Sequence, residues 1–343
     1  MRFENATIKD IAKALNFSTS TVSRALRGSY EISTETKKIV LEYAEKINYR
    51  PNPVALSLKG RRSRAIGVVV SEIANTFFSE AINGIESIAY NRGYHVIITQ
   101  SHESGEREKV NVLHHVSRSV DGLLISLSSG TVDTGYLKDL YDKGLPIVFF
   151  DRIADDIETH KVTANNYLGA FQATEHLIFQ GFIRIAHVTS APYLSITRER
   201  LQGYREAIVK HDIPFDESLV KNCNNGGMIA GEVEDAISVL FKGKSKPDAI
   251  FTASDRITVV CFAALKHLKL RKKVGFAGFS NTKTGELFDP PMTVVQQPAF
   301  EIGQTSTEML IQMIESKRPI TEFETKILDT KLIIRKSSMK EEP

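Results

Sequence analysis

Apolar residues are spaced in two different ways along this chain, and the change falls near residue 64. Up to residue 47 they recur at intervals of three and four, the period of an amphipathic helix. Ile8, Ile11, Ala12 and Leu15 make one stripe, Val22, Ala25 and Leu26 a second, and Ile39, Val40, Tyr43, Ala44 and Ile47 a third. Thr7, Ser18 and Ser33 each precede a stripe with a hydroxyl that can cap a helix. The first two predicted helices meet at Asn16-Phe17-Ser18, where Asn16 tolerates the left-handed backbone of a tight turn. The third runs from Ser33 to about Ile47 and completes a small three-helix core. After Asn48, the segment Asn52-Pro53 can cap and open one further short helix.

From Ala65 the pattern becomes short apolar runs separated by helical stretches: 66–70, 96–99, 122–125, 147–150, 185–188, 249–252 and 274–277. Strands alternating with helices predict parallel sheets. Nearly 280 residues exceed one ordinary core and the runs fall into two groups, so two doubly wound lobes with a cleft between them are expected. Ligands of such sheets bind outside the carboxyl ends of the strands. That rule selects Asn75, Phe77 and Phe78 after the first run and Asp151 and Arg152 after the fourth. In the second lobe it selects Arg198, Glu199 and Arg200, then Ser254 and Asp255, then Ser280 and Asn281, with Gln297 after the run Thr293–Val295, where the chain is expected to return to the first lobe. Aromatic faces with Arg, carboxylate and amide groups suit the apolar side and the hydroxyls of a sugar. A surface ion pair for Arg200, a helix cap for Asp255 and core packing for Phe77 and Phe78 are the competing structural readings.

The second predicted helix turns Thr19, Ser20, Ser23 and Arg24 outward. Small hydroxyls and an Arg that can grip guanine O6 and N7 suit a DNA major groove. Paired short helices also occur in many α-rich cores, so charge matters here. The first 62 residues hold 12 Lys and Arg against 6 Asp and Glu, whereas the remaining 281 hold 32 against 35. A compact basic module joined to a near-neutral body is what phosphate neutralisation requires.

Thr7-Ile8-Lys9-Asp10-Ile11-Ala12 followed by Ser18-Thr19-Ser20-Thr21-Val22-Ser23-Arg24 closely resembles the lactose-repressor (LacI/GalR) family of bacterial transcription regulators, and the match runs through nearly the whole chain. The family usually has Gly at the position of Asn16, Val at Phe17, Arg at Leu56, Asn at Ser254 and Asp at Ser280. The resemblance implies an all-α helix-turn-helix domain over 1–50, a hinge helix and linker over 51–64, and a periplasmic-binding-protein-like α/β domain over 65–343. The first lobe would take about 65–163 and 294–322, the second about 164–293 and 323–336. The implied DNA-binding residues are Thr7, Ser18, Thr19, Ser20, Thr21, Ser23, Arg24, Tyr30, Asn52, Leu58 and Lys59. In the family, a hinge leucine, here Leu58, wedges into the minor groove. The strand-end residues above all match family pocket positions, so the resemblance implies a repressor of operator DNA whose cleft takes a small-molecule effector.

One small helix-turn-helix makes few base contacts, so a homodimer reading two half-sites is expected. A helix pair for tetramer formation is not expected, because the polar stretch 336–343 follows soon after the run 327–334. Gly226-Gly227 reads as a turn, since neither a dinucleotide fingerprint nor a P-loop occurs, and no cofactor is expected. His114 and His115 face apart on a predicted helix, and the Cys and His spacing predicts no metal site. Cys223 and Cys261 fit a reducing cytoplasm, and no run approaches the ~18 apolar residues of a membrane span. An enzyme is not expected, for no nucleophile elbow or triad pattern appears. A two-lobed receptor without DNA-binding regulation is the alternative reading.

Overall fold

The computed structural model describes residues 6–49, 62–242 and 245–340. The chain divides into two compact units, Met1–Ser63 and Arg64–Pro343. In the first, α1 (Ile8–Leu15), α2 (Thr19–Leu26) and α3 (Thr34–Lys46) close around Ile11, Val22, Ala25 and Val40, which are almost wholly excluded from water. Phe17 and Leu26 pack against this core from its edge. Asn16 ends α1 in the left-handed region, φ 57°, and its N–H donates to the Ala12 carbonyl. Ile39 departs from its predicted stripe: it is 41 % exposed, because Val40, Tyr43 and Ala44 already fill the inner face of α3.

The second unit holds two six-stranded sheets. In chain order, the first lobe contains β1 (Ala65–Val70), α4 (Thr76–Asn91), β2 (His95–Gln100), α5 (Gly105–Ser117), β3 (Gly122–Ile125), α6 (Gly135–Asp142), β4 (Ile147–Phe150) and β5 (Lys161–Ala164). The second contains α7 (Asn166–Phe179), β6 (Ile185–Thr189), α8 (Ser195–Lys210), β7 (Val220–Asn222), α9 (Ala230–Lys242), β8 (Ala249–Thr252), α10 (Asp255–His267), β9 (Gly275–Phe279) and β10 (Thr293–Gln296). The helix α11 (Ala299–Glu315) returns to the first lobe, and β11 (Thr325–Leu328) and β12 (Lys331–Ile333) finish the two sheets. Strand order is β2-β1-β3-β4-β5-β11 in one sheet and β7-β6-β8-β9-β10-β12 in the other, with every pairing parallel except β10 with β12.

Both faces of each sheet are covered, which is why the central strands read as unbroken apolar runs. Along β1, Ile66, Val68 and Val70 enter the core shared with α4 and α11, while Val69 enters the one on the opposite face with Val112 of α5 and Leu137 of α6. The second lobe repeats this, with Ile250 and Phe276 on one face and Phe251, Ala277 and Phe279 on the other.

The crossings between lobes lie a few residues from where the sequence puts them. Thr293–Val295 does not return to the first lobe: it pairs with β9 and β12, and the chain crosses after Gln296. The run 327–334 is not one element. Leu328 pairs with Ala164 in the first sheet, Ile333 with Val294 in the second, and Asp329-Thr330 links them. The first lobe's returning segment therefore extends to Leu328. Among the described residues no helix is long and apolar enough to cross a membrane.

Candidate functional site

The outward face of α2 is set by its own caps. Ser18 Oγ accepts from the Thr21 N–H at 3.0 Å and lies 2.8 Å from both the Ser20 and Thr21 hydroxyls. Thr7 closes a capping box on α1, its N–H donating to Asp10 Oδ2 at 2.8 Å. That leaves Thr19 and Ser20 exposed at the start of α2, with Thr21 and Ser23 half-buried. Arg27, which the sequence reading passed over, donates to the Ser23 hydroxyl at 3.0 Å, and Arg24 pairs with Glu31 at 3.2 Å across an exposed face. Tyr30 is 93 % exposed beyond the helix. Asn52, Leu58 and Lys59 lie outside the described residues. Hydroxyls, two guanidiniums and a phenol on one small helical unit match the donor and acceptor set that reads base edges and phosphates.

In the second unit, each sheet reverses its strand order once, at β1/β3 and at β6/β8. Such reversals open a crevice at the carboxyl ends of the strands. From the first lobe, Asn75 caps α4, its Oδ1 accepting from the Phe77 and Phe78 N–H groups at 2.9 and 3.3 Å. The two rings meet edge to face at 5.2 Å and are 3 % exposed, so packing is their main role here. Asp151 follows β4 with φ 59° and accepts from Ser126 Oγ at 3.3 Å. Arg152 donates to Glu103 at 2.7 Å and to the Leu127 carbonyl at 3.3 Å.

From the second lobe, Arg200 is 2 % exposed and stacks 3.9 Å over Phe279. It donates to Asn166 Oδ1 at 2.6 and 2.9 Å, to Gln297 Oε1 at 2.6 Å and to the Ala253 carbonyl. A surface ion pair is thus not its role. Ser254, not Asp255, caps α10, and Asp255 accepts from the Ser280 hydroxyl and the Asn281 N–H. Arg198 turns to the rim, donating to Asp155 at 2.5 Å and to the Tyr193 carbonyl. Glu199 holds Asn166 at 2.8 Å. Contacts also join the lobes directly: Glu72 with Arg256, Glu80 with Asn281 and Lys283, and Tyr193 with the Ser129 carbonyl.

Burial and charge oppose each other in this cleft. Burial raises Asp151 and Asp255 above the ordinary carboxylate range, against the pull of Arg152 and Arg200 on the former and of Ser280 and Asn281 on the latter. Burial is also the largest influence on Glu103, yet Arg152 and the Ser129 N–H outweigh it and hold that carboxyl low. Glu103, Asn166, Ser129 and Ser190 were not selected from sequence, although Glu103, Ser129 and Ser190 follow strand ends by the same rule. Ser101, Ser129 and Ser190 Oγ, Thr189 and Thr197 Oγ1 and Arg152 Nε, all at or just beyond strand ends and helix starts, are buried without a hydrogen-bond partner. Buried polar groups are nearly always paired, so these are groups to which a polar molecule could bond.

Residues 63–336 match the family of periplasmic binding proteins and sugar binding domain of the LacI family, and residues 7–52 match the bacterial regulatory proteins of the lacI family. The chain is 30 % identical to the ribose operon repressor of Haemophilus influenzae, covering 97 % of this chain and 98 % of that one. It is also 30 % identical to the HTH-type transcriptional repressor PurR of Vibrio parahaemolyticus, covering 91 % and 93 %. The solved structure of a transcriptional regulator CelR–cellobiose complex superposes with a TM-score of 0.70 at 27 % identity, covering 97 % of this chain and all of that one. Here the match to the regulatory family falls on a basic three-helix unit with a polar face, and the match to the binding-protein family on two doubly wound lobes around a polar cleft: the chain belongs to the LacI family of DNA-binding transcriptional repressors.

Proposed function

We propose that this repressor binds a palindromic operator as a homodimer and is controlled by a neutral sugar held between its lobes. The observation that carries the sugar is the set of buried hydroxyls without a hydrogen-bond partner around the buried Arg152, Asp151 and Arg200, beside an Arg152 Nε that has only the Asp151 carboxylate at 3.9 Å. Arg donors suit hydroxyl oxygens and carboxylates suit hydroxyl hydrogens, so a polyol satisfies both. A phosphorylated sugar would bring its negative charge against Asp151, Glu103 and Asp255, and is disfavoured. Similarity to a ribose operon repressor over nearly the full length makes D-ribose the first compound to try.

The DNA-reading residues of this proposal are Thr19, Ser20, Arg24 and Tyr30, with Thr7, Ser18, Thr21 and Ser23 shaping the same face and Asn52, Leu58 and Lys59 acting at the hinge. The effector residues are Asn75, Asp151, Arg152, Arg198, Arg200, Ser254, Asp255, Ser280 and Gln297, joined by Glu103 and Asn166, with Phe77 and Phe78 packed beneath them in the first-lobe core. Operator binding calls for a cytoplasmic location. The test is selection of genomic fragments by the purified protein at ~150 mM salt, repeated with D-ribose, D-glucose and ribose 5-phosphate. Recovery of one palindrome whose binding shifts with a neutral sugar and not with the phosphate ester is expected. Enrichment of no sequence under any condition would leave a sugar receptor without operator regulation. On the recovered site, Arg24→Ala should weaken binding and relax choice at one base pair per half-site. A uniform loss on all sequences would remove Arg24 as a base reader.

A further inference from the structure

Two helices run side by side through the first lobe, and both begin at the cleft. The helix α4 starts at Asn75 and α11 just after Gln297, whose side chain receives Arg200. Each start is wired to the second lobe: Asn281 donates to Glu80 of α4 at 2.8 Å and to the Gln297 carbonyl at 2.8 Å. The two helices touch backbone to backbone. A Cβ added at Gly84 would lie 2.0 Å from the Phe300 carbonyl oxygen, and one added at Gly303 would lie 2.0 Å from that of Ala81. At 16 and 17 residues they reach roughly 25 Å from the cleft as one stiff pair.

Their far ends meet at one carboxylate. Glu315, the last residue of α11, accepts from Arg92 at 2.6 Å, just past the end of α4, and from Arg64 at 3.3 Å, with the Tyr94 hydroxyl at 3.4 Å. Arg64 is the first residue of the second unit, where the chain arrives from the DNA-binding unit. Its backbone is held in the left-handed region, φ 57°, by its N–H donating to Asp121 at 2.9 Å and its carbonyl accepting from His95 at 2.8 Å. Its guanidinium lies 4.9 Å over the Tyr94 ring. A non-glycine residue stays in that conformation only where its surroundings over-determine it.

We infer that Glu315 is a positioning residue that clasps Arg64 to the ends of both cleft-born helices, so that lobe closure is passed to the chain entering the DNA-binding unit. This rests on the proposed control by a cleft ligand. A shift of either helix start during closure moves Arg92 and Glu315 together, because the glycine contact prevents the helices from sliding independently.

The test uses the full-length protein, D-ribose as probe and the palindrome recovered by selection. Calorimetry gives the sugar affinity, and operator binding is measured with and without the sugar. Glu315→Gln should keep the sugar Kd and the sugar-free operator Kd within about twofold, while the sugar-induced change in operator affinity falls at least about fivefold. Hydrogen exchange should rise at the amides of Arg64 and His95. Glu315→Asp should restore part of the response, and Arg92→Gln should reproduce the loss if Glu315→Gln melts early. Unchanged coupling overturns the inference, as does equal loss of sugar and operator binding, which would mean general damage. If no sugar alters operator binding by the wild type, the sugar reading fails. The exchange measurement then decides the clasp alone: protection at Arg64 and His95 unaltered in Glu315→Gln overturns it.

Discussion

Single residues in this protein place titratable groups where water is scarce, and His115 shows what that implies for stability. Its ring is 1 % exposed beneath Gly67, where an added Cβ would lie 2.8 Å from the imidazole, and its Nε2 meets the Thr99 hydroxyl at 2.9 Å. Burial, helped by the nearby charge of His114 and opposed by the Val68 carbonyl, pushes its pKa down to about 4. The folded state therefore keeps the ring neutral while the unfolded chain takes up a proton near pH 6.5. The stability this provides is complete above pH 6.5 and is lost as pH falls towards 4, by about 3 kcal/mol in all. Urea unfolding across that window should show the slope, and His115→Gln should flatten that share of it even if the variant is less stable throughout. An identical slope in the variant would mean the ring titrates normally. None of this was visible in the adjacent pair His114-His115, which fixed only that the two face apart. The same holds at the cleft: Asp151, Arg152 and Arg200 are among the residues the strand-end rule selects, whereas Asn166 reaches Arg200 through the packing of α7 on α8, for which the sequence carries no periodic signal.

At the scale of elements, the legible strands are those buried on both faces. Gly122–Ile125, Ile147–Phe150 and Ala249–Thr252 are legible to the residue because nothing polar interrupts them. Lys161–Ala164, Val220–Asn222 and Lys331–Ile333 are short and carry Lys, Thr or Asn, so pattern alone gave no strand there. Of these, Val220–Asn222 and Lys331–Ile333 lie at sheet edges, where one side needs no partner. The glycine contact between α4 and α11 likewise left no trace beyond two glycines inside helical stretches. It yields a sharp expectation. At Gly303 the obstacle to a side chain is a backbone carbonyl, which cannot rotate away, so Gly303→Ala must separate the helices and should cost about 1–3 kcal/mol despite alanine's better helix propensity. A rise in the melting temperature would show that the pair yields easily. In the first unit, Ser18→Ala removes the acceptor for the Thr21 N–H and should cost about 1 kcal/mol in the unfolding of that unit.

For the ligand-binding unit as a whole, the lobes are held together by contacts that do not need a ligand. Glu72 with Arg256 and Glu80 with Lys283 and Asn281 lie across the cleft, and Arg198 reaches over to Asp155 at the rim. Lys283 and Arg198 are largely exposed and Arg256 partly so, so each such pair contributes roughly 0.2–1 kcal/mol and is screened by salt. Removing two of them, as in Arg256→Gln with Lys283→Gln, should therefore shift the balance between closed and open lobes by roughly two- to thirtyfold. A ligand that binds only the closed form has its apparent Kd divided by the fraction closed, so the double variant should bind D-ribose more weakly by up to that factor. Small-angle scattering separates the two ways this can occur. If the unliganded protein is mostly closed, the variant opens it and the radius of gyration rises; if it is mostly open, the scattering stays as it was and the Kd carries the whole effect. Raising the salt to ~0.5 M should weaken sugar binding by the wild type in the same direction and affect the double variant less. Unchanged affinity together with unchanged scattering would mean that Arg256 and Lys283 do not hold the lobes. Closure would then depend on the short bonds that Asn281 and Arg200 donate to Glu80 and Gln297, near the starts of the helices leading to Arg64.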